Sequence, residues 1–238
     1  MPRLAAVCFL FLGTLAGTPA AAQIAAPDPP GPYVIDVRVG TSAIPQDASF
    51  FPPVPIATII PSRGYGLDVG AHVYLMRLGP GRFGIGANVL RVRGTASPPA
   101  PPSSGSTPAT APATTTPATR PDVNATLTTL APQVSFNFGS AEGWSYVSAG
   151  VGRAQLTTGT SAFGGSGSGT DLTPERSADS GTRSSINVGG GARWFAKAHL
   201  AFSFDVRVHI VSAGAAEGTA PVTPRHTLLA ASAGISLR

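Results

Sequence analysis

The chain predicts an all-β fold, an eight-stranded antiparallel up-and-down transmembrane β-barrel. Three observations carry that expectation. Segment after segment alternates apolar with small or polar residues, a two-residue period that means extended backbone with unlike surroundings on its two faces. The connections between these segments alternate short and long. Charged residues make up only 11% of the chain, against about 25% in ordinary soluble domains. Yet no segment beyond the leader offers the roughly 18 consecutive apolar residues of a membrane helix.

The first residues read as an address. Met1-Pro2-Arg3 is a short positive start, Leu4 to Gly17 is an apolar run too short to span a bilayer, and Thr18-Pro19-Ala20-Ala21-Ala22 ends in an Ala-x-Ala pattern. Residues 1–22 are therefore expected to be a signal peptide cleaved after Ala22, and 23–238 a single barrel domain. Cys8 is the only cysteine and lies in the leader. The mature chain then has no disulfide, no Cys-ligated metal and no Cys nucleophile. The net charge of +5 comes from arginines scattered along strands and loops, with no basic cluster of the kind that binds nucleic acid.

The strands are expected as follows. The first is Tyr33 to Thr41, with Tyr33, Ile35, Val37 and Val39 opposite Asp36, Arg38 and Gly40. The second runs from Gly64 to Leu78, with Leu67, Val69 and Val73 against Asp68, Gly70 and His72. Leu78-Gly79-Pro80-Gly81 is a tight turn, and the third strand alternates from Phe83 to Val89. Its phase breaks at Val89-Leu90, as a bulge or a membrane boundary would. The fourth covers Asn124 to Phe138 and contains Pro132, which ordinarily belongs on an edge strand. The fifth is Trp144 to Thr157, with Val147, Ala149 and Val151 opposite Ser148, Gly150 and Gly152. The sixth is Ser185 to Phe195. The seventh, after the Ala196-Lys197-Ala198 turn, alternates most clearly: Leu200, Phe202, Phe204, Val206 and Val208 against Ala201, Ser203, Asp205, Arg207 and His209. The eighth is Thr227 to Leu237.

Turns of a few residues join strands two to three, four to five and six to seven, whereas long segments at 42–63, 96–121, 159–182 and 213–224 make the other connections. Short turns at one end and long loops at the other are the outer-membrane pattern, and an even strand count puts both ends of the barrel on the periplasmic, short-turn side. Residues 96–121 are a Pro/Ala/Thr/Ser tract that cannot bury a core, and 159–182 is Gly/Ser-rich. Both are expected to be low-complexity extracellular loops. Asp171, Glu175 and Asp179 fall in the latter without a calcium-loop spacing. The first loop carries Phe50-Phe51 and Ile56 to Ile60, which either extend the neighbouring strands or meet a partner.

Alternation alone fits a soluble lipocalin-like barrel with an apolar cavity as well as a membrane barrel with an apolar outside. The opposite face decides. It is rich in Gly, Ala, Ser and Asn and poor in Lys and Glu, unlike a water-facing surface and like a narrow lumen. On that reading Asp36, Arg38, Asp68, Arg193, Asp205 and Arg207 form a lumen ion-pair network, because an unpaired charge in a cramped interior is costly. The plainer role for it is a structural plug; the alternative is a gated conduit or a proton relay through His72 and His209. Phe83, Phe138, Trp144 and Trp194 gather near the short turns, where an interfacial aromatic girdle sits.

Several short runs carry a family resemblance: Tyr146-Val147-Ser148-Ala149-Gly150-Val151-Gly152; Asn187 through Phe195 with His199-Leu200-Ala201; Asp205-Val206-Arg207; and Gly234-Ile235-Ser236-Leu237-Arg238. They resemble the small OmpA/OmpX-like outer membrane β-barrel domain family. The resemblance implies an eight-stranded barrel and no activity. Members commonly end in an aromatic residue read by the assembly machinery, and this chain departs from that pattern with Arg238. The expected protein is a non-enzymatic outer membrane barrel, with a structural or envelope role or a surface interaction through its loops. The alternatives are a narrow channel, a lipid-modifying enzyme built on His72 or His209 with Ser148 or Ser203, and the soluble ligand-binding barrel. No catalytic residue, metal or cofactor is expected. The expected partners are outer membrane lipids and the barrel-assembly machinery, with no nucleic acid, in a monomeric protein of the bacterial outer membrane.

Overall fold

A computed structural model describes residues 32–50, 60–97, 122–140, 142–160, 176–214 and 222–238 of the chain. The strands are β1 (Tyr33–Ala43), β2 (Arg63–Leu78), β3 (Gly81–Ala96), β4 (Val123–Ser140), β5 (Gly143–Thr160), β6 (Arg176–Asp179), β7 (Arg183–Lys197), β8 (Leu200–Val211) and β9 (His226–Leu237). Every strand pairing is antiparallel and joins sequence neighbours, except that β7 continues the lane of the short β6 along β5 and that β1 meets β9. β1 pairs with β2 on one side and with β9 on the other, from Ile35↔Leu237 to Ser42↔Ala230, so the sheet closes into an eight-stranded barrel. Closure leaves no strand edge among the eight and satisfies the backbone without water, as a hydrocarbon surround requires. The turn after Leu78 needs its glycine: Gly79 has φ of +56°, and nothing crowds a Cβ there, so the left-handed backbone is the reason.

The two faces divide by chemistry. Leu67, Val151 and Phe202 are 55, 66 and 65% exposed on the outer wall, while Asp36, Asp68 and Asp205 are almost wholly buried inside. The apolar face is thus the outer one. A lipocalin-like arrangement, with the apolar side chains lining a cavity, is excluded. At the short-turn end the interior begins with an apolar floor of Val34, Tyr74 and Trp144, with Phe195 packed against it. Above it lies a polar, charged layer. Beyond that layer Leu90, Val92, Val123, Leu127, Leu156, Val211 and Leu228 form an apolar cluster inside the barrel.

This upper cluster explains the phase break at Val89-Leu90. It is not a bulge, because the register runs through it unbroken, with Val69↔Val89 and Asp68↔Leu90. The geometry continues and the chemistry of the two faces inverts: Leu90 and Val92 point in, Arg91 and Arg93 point out. β4 and β5 invert in the same way, with Leu127 and Leu156 inside and Thr126, Thr128, Gln155 and Thr157 on the outer face. An outer surface that changes from apolar to polar marks where the wall leaves hydrocarbon. The strands therefore project past the belt into water with a conventional apolar core of their own. The ladder shifts register instead between Tyr74 and Met76 and between Phe195 and Lys197, near the short turns.

Other details differ from expectation. Trp144 does not join an outer girdle; it is 1% exposed in the lumen floor, 4.7 Å from the Phe195 ring, while Trp194 does face outward. Pro132 sits inside the wall, not on an edge. It is in register with Ala87 on β3, and the β4–β5 ladder passes from Leu130↔Arg153 to Gln133↔Gly150 without bridging Ala131 or Pro132. A residue without an N–H can be accommodated by that local gap. The segment 159–182 is not loop throughout: β5 runs to Thr160, and Arg176–Asp179 pairs with Thr157–Thr160. Its Gly/Ser composition hid a pairing whose stabilisation comes from backbone bonds. The first part of the first loop folds inward. Ile44 and Phe50 are buried in the upper cluster, Phe50 stands edge-on to His226 at 4.8 Å, and its carbonyl accepts a 2.8 Å bond from the Thr158 hydroxyl. Residues 51–59, 98–121, 161–175 and 215–221, and the expected leader at 1–22, lie outside the described residues.

The sidedness is open to a labelling test in a chain whose only native cysteine is Cys8. In intact cells a membrane-impermeant maleimide should label Thr95→Cys and Thr157→Cys, while Lys197→Cys should react only after the outer membrane is permeabilised. Reaction of Lys197→Cys alone in intact cells would reverse the orientation.

Candidate functional site: the ion-paired lumen

An eight-stranded barrel has an interior just wide enough for side chains to fill. Charges placed there meet one another instead of water. Every second residue of β1, β2, β7 and β8 points inward, which brings Asp36, Arg38, Asp68, Arg193, Asp205 and Arg207 into one layer, each 4% exposed or less. Asp36 is its hub. Arg193 donates to both carboxylate oxygens, Nε to Oδ1 at 2.8 Å and Nη2 to Oδ2 at 2.7 Å. This is the bidentate geometry that a guanidinium matches best. Arg38 reaches the same carboxylate through Nη2 at 2.7 Å and bridges to Asp68 through Nη1 at 2.9 Å. The Ser236 hydroxyl also donates to Asp36.

The second arm is built around Asp205. Arg207 lies two residues along on the same strand and donates to it at 3.2 and 3.0 Å, and the Tyr146 hydroxyl donates to Oδ2 at 2.6 Å. Tyr146 also links the two arms, because the Arg193 guanidinium lies 4.0 Å from its ring centroid. The phenol reaches across Gly191, where a Cβ would sit 2.8 Å from the hydroxyl and 2.0 Å from the Phe204 carbonyl. Asn88 and Ser232 each donate to Asp68 at 2.5 Å. Asn187 accepts from Arg207 and from Gln133, both at 2.8 Å. Asn137 accepts from Arg193 at 3.2 Å and from Tyr74 at 3.0 Å, which ties the charged layer to the apolar floor. Three carboxylates face three guanidiniums, so the layer is neutral as well as hydrogen-bonded.

His72 and His209 are both buried on the inner face. The serines weighed as nucleophiles are engaged by arginine instead of histidine: Arg207 donates to Ser148 Oγ at 3.0 Å and Arg38 to Ser203 Oγ at 3.3 Å. A nucleophile needs a base within reach to take its proton, and a guanidinium, always protonated, cannot be that base. The space between Asp68, Asn88, Asp205, Arg207, His209 and Ser232 is about 10 Å³, on the order of one water. Tyr74, Asn88, Gln133, Asn137, Tyr146, Asn187, Ser232 and Ser236 also join the network and were not among the site residues expected from the sequence. Their parity was the available signal: Tyr146 shares the face of Ser148, and Tyr74 that of His72.

A closed ladder, an apolar belt outside and a neutral ion-paired layer inside define the class: a membrane-spanning β-barrel of the bacterial outer membrane type. No protein-family profile matches the chain, and no curated protein matches it. Solved structures do resemble it. Ail, the attachment invasion locus protein of Yersinia pestis, solved with the heparin analogue sucrose octasulfate, is 9% identical with a TM-score of 0.48, over 86% of this chain and 96% of that one. Neisserial surface protein A is 10% identical with a TM-score of 0.46, over 87% and 97%. The outer membrane protease OmpT from Escherichia coli is 9% identical with a TM-score of 0.41, over 74% and 64%. At such identities and scores these likenesses assign neither a ligand nor an activity to this chain. The class rests on its own wall and interior.

Removing one partner of a buried charge pair typically costs about 3–5 kcal/mol. Asp36→Asn, which leaves Arg193 and Arg38 without their shared carboxylate, should lower unfolding stability in urea by an amount of that order. Asn124→Ala, on the outer face of the projection, should change it by less than about 1 kcal/mol. Equal effects from both substitutions would remove Asp36 from the centre of the layer.

Proposed function

We propose that the protein is a non-enzymatic outer membrane barrel whose lumen serves as a rigid, plugged stem and whose projecting end carries a structural or surface-interaction role. The observation that carries this reading is the pairing of a filled interior with an inverted upper wall. The stem holds six paired charges and the tightly enclosed space beside them. The projection has its own apolar cluster and presents polar side chains outward, as an element built to stand in water does. The connections 98–121 and 161–175 join strand ends on that projection, where a partner outside the cell would meet them. Outer membrane lipids surround the belt, the barrel-assembly machinery inserts it, and the chain acts as a monomer.

A narrow channel is the reading this displaces, because ions would have to part Arg193 from Asp36 and Arg207 from Asp205 to pass. In planar bilayers the full chain should give no steady single-channel conductance. Asp36→Ala/Asp205→Ala, which unpairs the layer, should give irregular openings if it inserts. Steady openings of the unaltered protein would contradict the plugged stem.

A further inference from the structure

The carboxylates of Asp36, Asp68 and Asp205 point into the lumen, and Asp179 on the short β6, which accepts from Gln155, is the exposed strand carboxylate among the described residues; the outer wall above the belt otherwise carries arginines. Arg63 on β2 and Arg91 and Arg93 on β3 are exposed, and none of them has an ion-pair partner among the described residues. Arg93 shares only the Asn124 amide oxygen, at 3.3 Å. Pairing places Arg93 directly beside Tyr65 and Arg91 beside Leu67, while Arg63 lies two residues along from Tyr65 on the same outer face.

Tyr65 and Leu67 also form one side of a shallow, open groove of about 730 Å³ on the outside of the barrel. Its far side is Phe204, and between the two sides lie the small residues Thr41, Ala231 and Ala233 together with the exposed Val39. The registered rows read Arg93–Tyr65–Thr41–Ala231 and Arg91–Leu67–Val39–Ala233–Phe204, so the cationic group and the apolar groove are one continuous surface. The groove belongs to the lipid-facing wall and the arginines to the boundary where that wall turns polar.

We infer that this surface is a binding site for a net-anionic, phosphate-bearing membrane lipid. An acyl chain occupies the groove between Tyr65 and Phe204, and the phosphate meets Arg63, Arg91 and Arg93. Charge complementarity selects a net-anionic occupant: an uncharged lipid would leave three guanidiniums unmatched, and a zwitterionic phospholipid offers one phosphate already offset by its own headgroup cation, whereas a lipid whose phosphates lack an internal cation matches the guanidinium forks. The inference rests on the membrane reading of the barrel, which insertion into vesicles and heat-modifiable gel mobility test separately.

The test is native mass spectrometry of the full chain in detergent, titrated with bisphosphorylated lipid A and with the same lipid stripped of its phosphates. Each variant is first checked for heat-modifiable mobility. The unaltered protein should retain the phosphorylated lipid preferentially. Arg63→Gln, Arg91→Gln and Arg93→Gln together should weaken that binding on the order of a hundredfold, as the loss of three basic residues at an anionic surface implies. The corresponding triple Lys variant should recover part of it. Ala231→Trp, which fills the groove, should weaken both lipids. Equal retention of the two lipids, an unaffected triple Gln variant, or a dimer of the chain that excludes lipid from the groove would each overturn the inference.

Discussion

The pairing of Asp36 with Arg193 and Arg38 is the interaction on which the rest of this structure depends. A lumen eight strands around has no room for the hydration that isolated charges require. Six charged side chains can be there only as a closed set, and Asp36 is where the set closes: it takes a fork from Arg193, an ion-pair contact from Arg38 and a hydrogen bond from Ser236. The wall around it is adapted to that set. Gly191 leaves space for Tyr146 to reach Asp205, and serines and asparagines fill the remaining hydrogen-bonding directions. Buried ion pairs are weak evidence of net stability compared with apolar packing. Here they fix the registration of strands far apart in sequence, since β1 meets β7 across the lumen through Arg193 and Asp36.

Two solvents shape one sheet. Below the level of Leu90 the outer face is apolar and the inner face, down to its floor of Val34, Tyr74 and Trp144, is polar; above it the arrangement is reversed. Neither half would suit the other's surroundings. The apolar belt in water would be an aggregation surface, and the polar upper wall in hydrocarbon would strand its arginines and hydroxyls. The inversion occurs without a bulge, so the backbone ladder is indifferent to which solvent it crosses. Side-chain parity alone records the boundary, and it puts Arg91 and Arg93 at the point where an anionic headgroup layer would lie.

Much of this was legible in the sequence. The alternation of β8 gave both faces correctly because a two-residue period maps directly onto a pleated wall. The run from Val89 to Arg93 signalled a boundary but not its nature, since a bulge and an inversion produce the same change of phase. Only the unbroken pairing separates them. Trp144 was misassigned to the outer wall because aromatic enrichment near turns carries no information about side; its parity with Tyr146 and Ser148 does. The short β6 was hidden because backbone pairing with β5 needs no particular side chains. For the charged layer, sequence parity placed the residues on the inner face, but their partners depend on cross-lumen distances. Nothing in a linear pattern distinguishes Arg193 meeting Asp36 from Arg193 meeting Asp205.

The most direct test of the account is whether the charged layer is dry and locked. In lipid nanodiscs, the side-chain Nε–H groups of Arg38, Arg193 and Arg207 should give separate NMR signals. They should persist at mildly alkaline pH, with the Arg193 signal showing cross-relaxation to the Tyr146 ring. Loss of all three signals to rapid exchange with water, in a barrel that remains folded, would mean a hydrated lumen and would contradict the account.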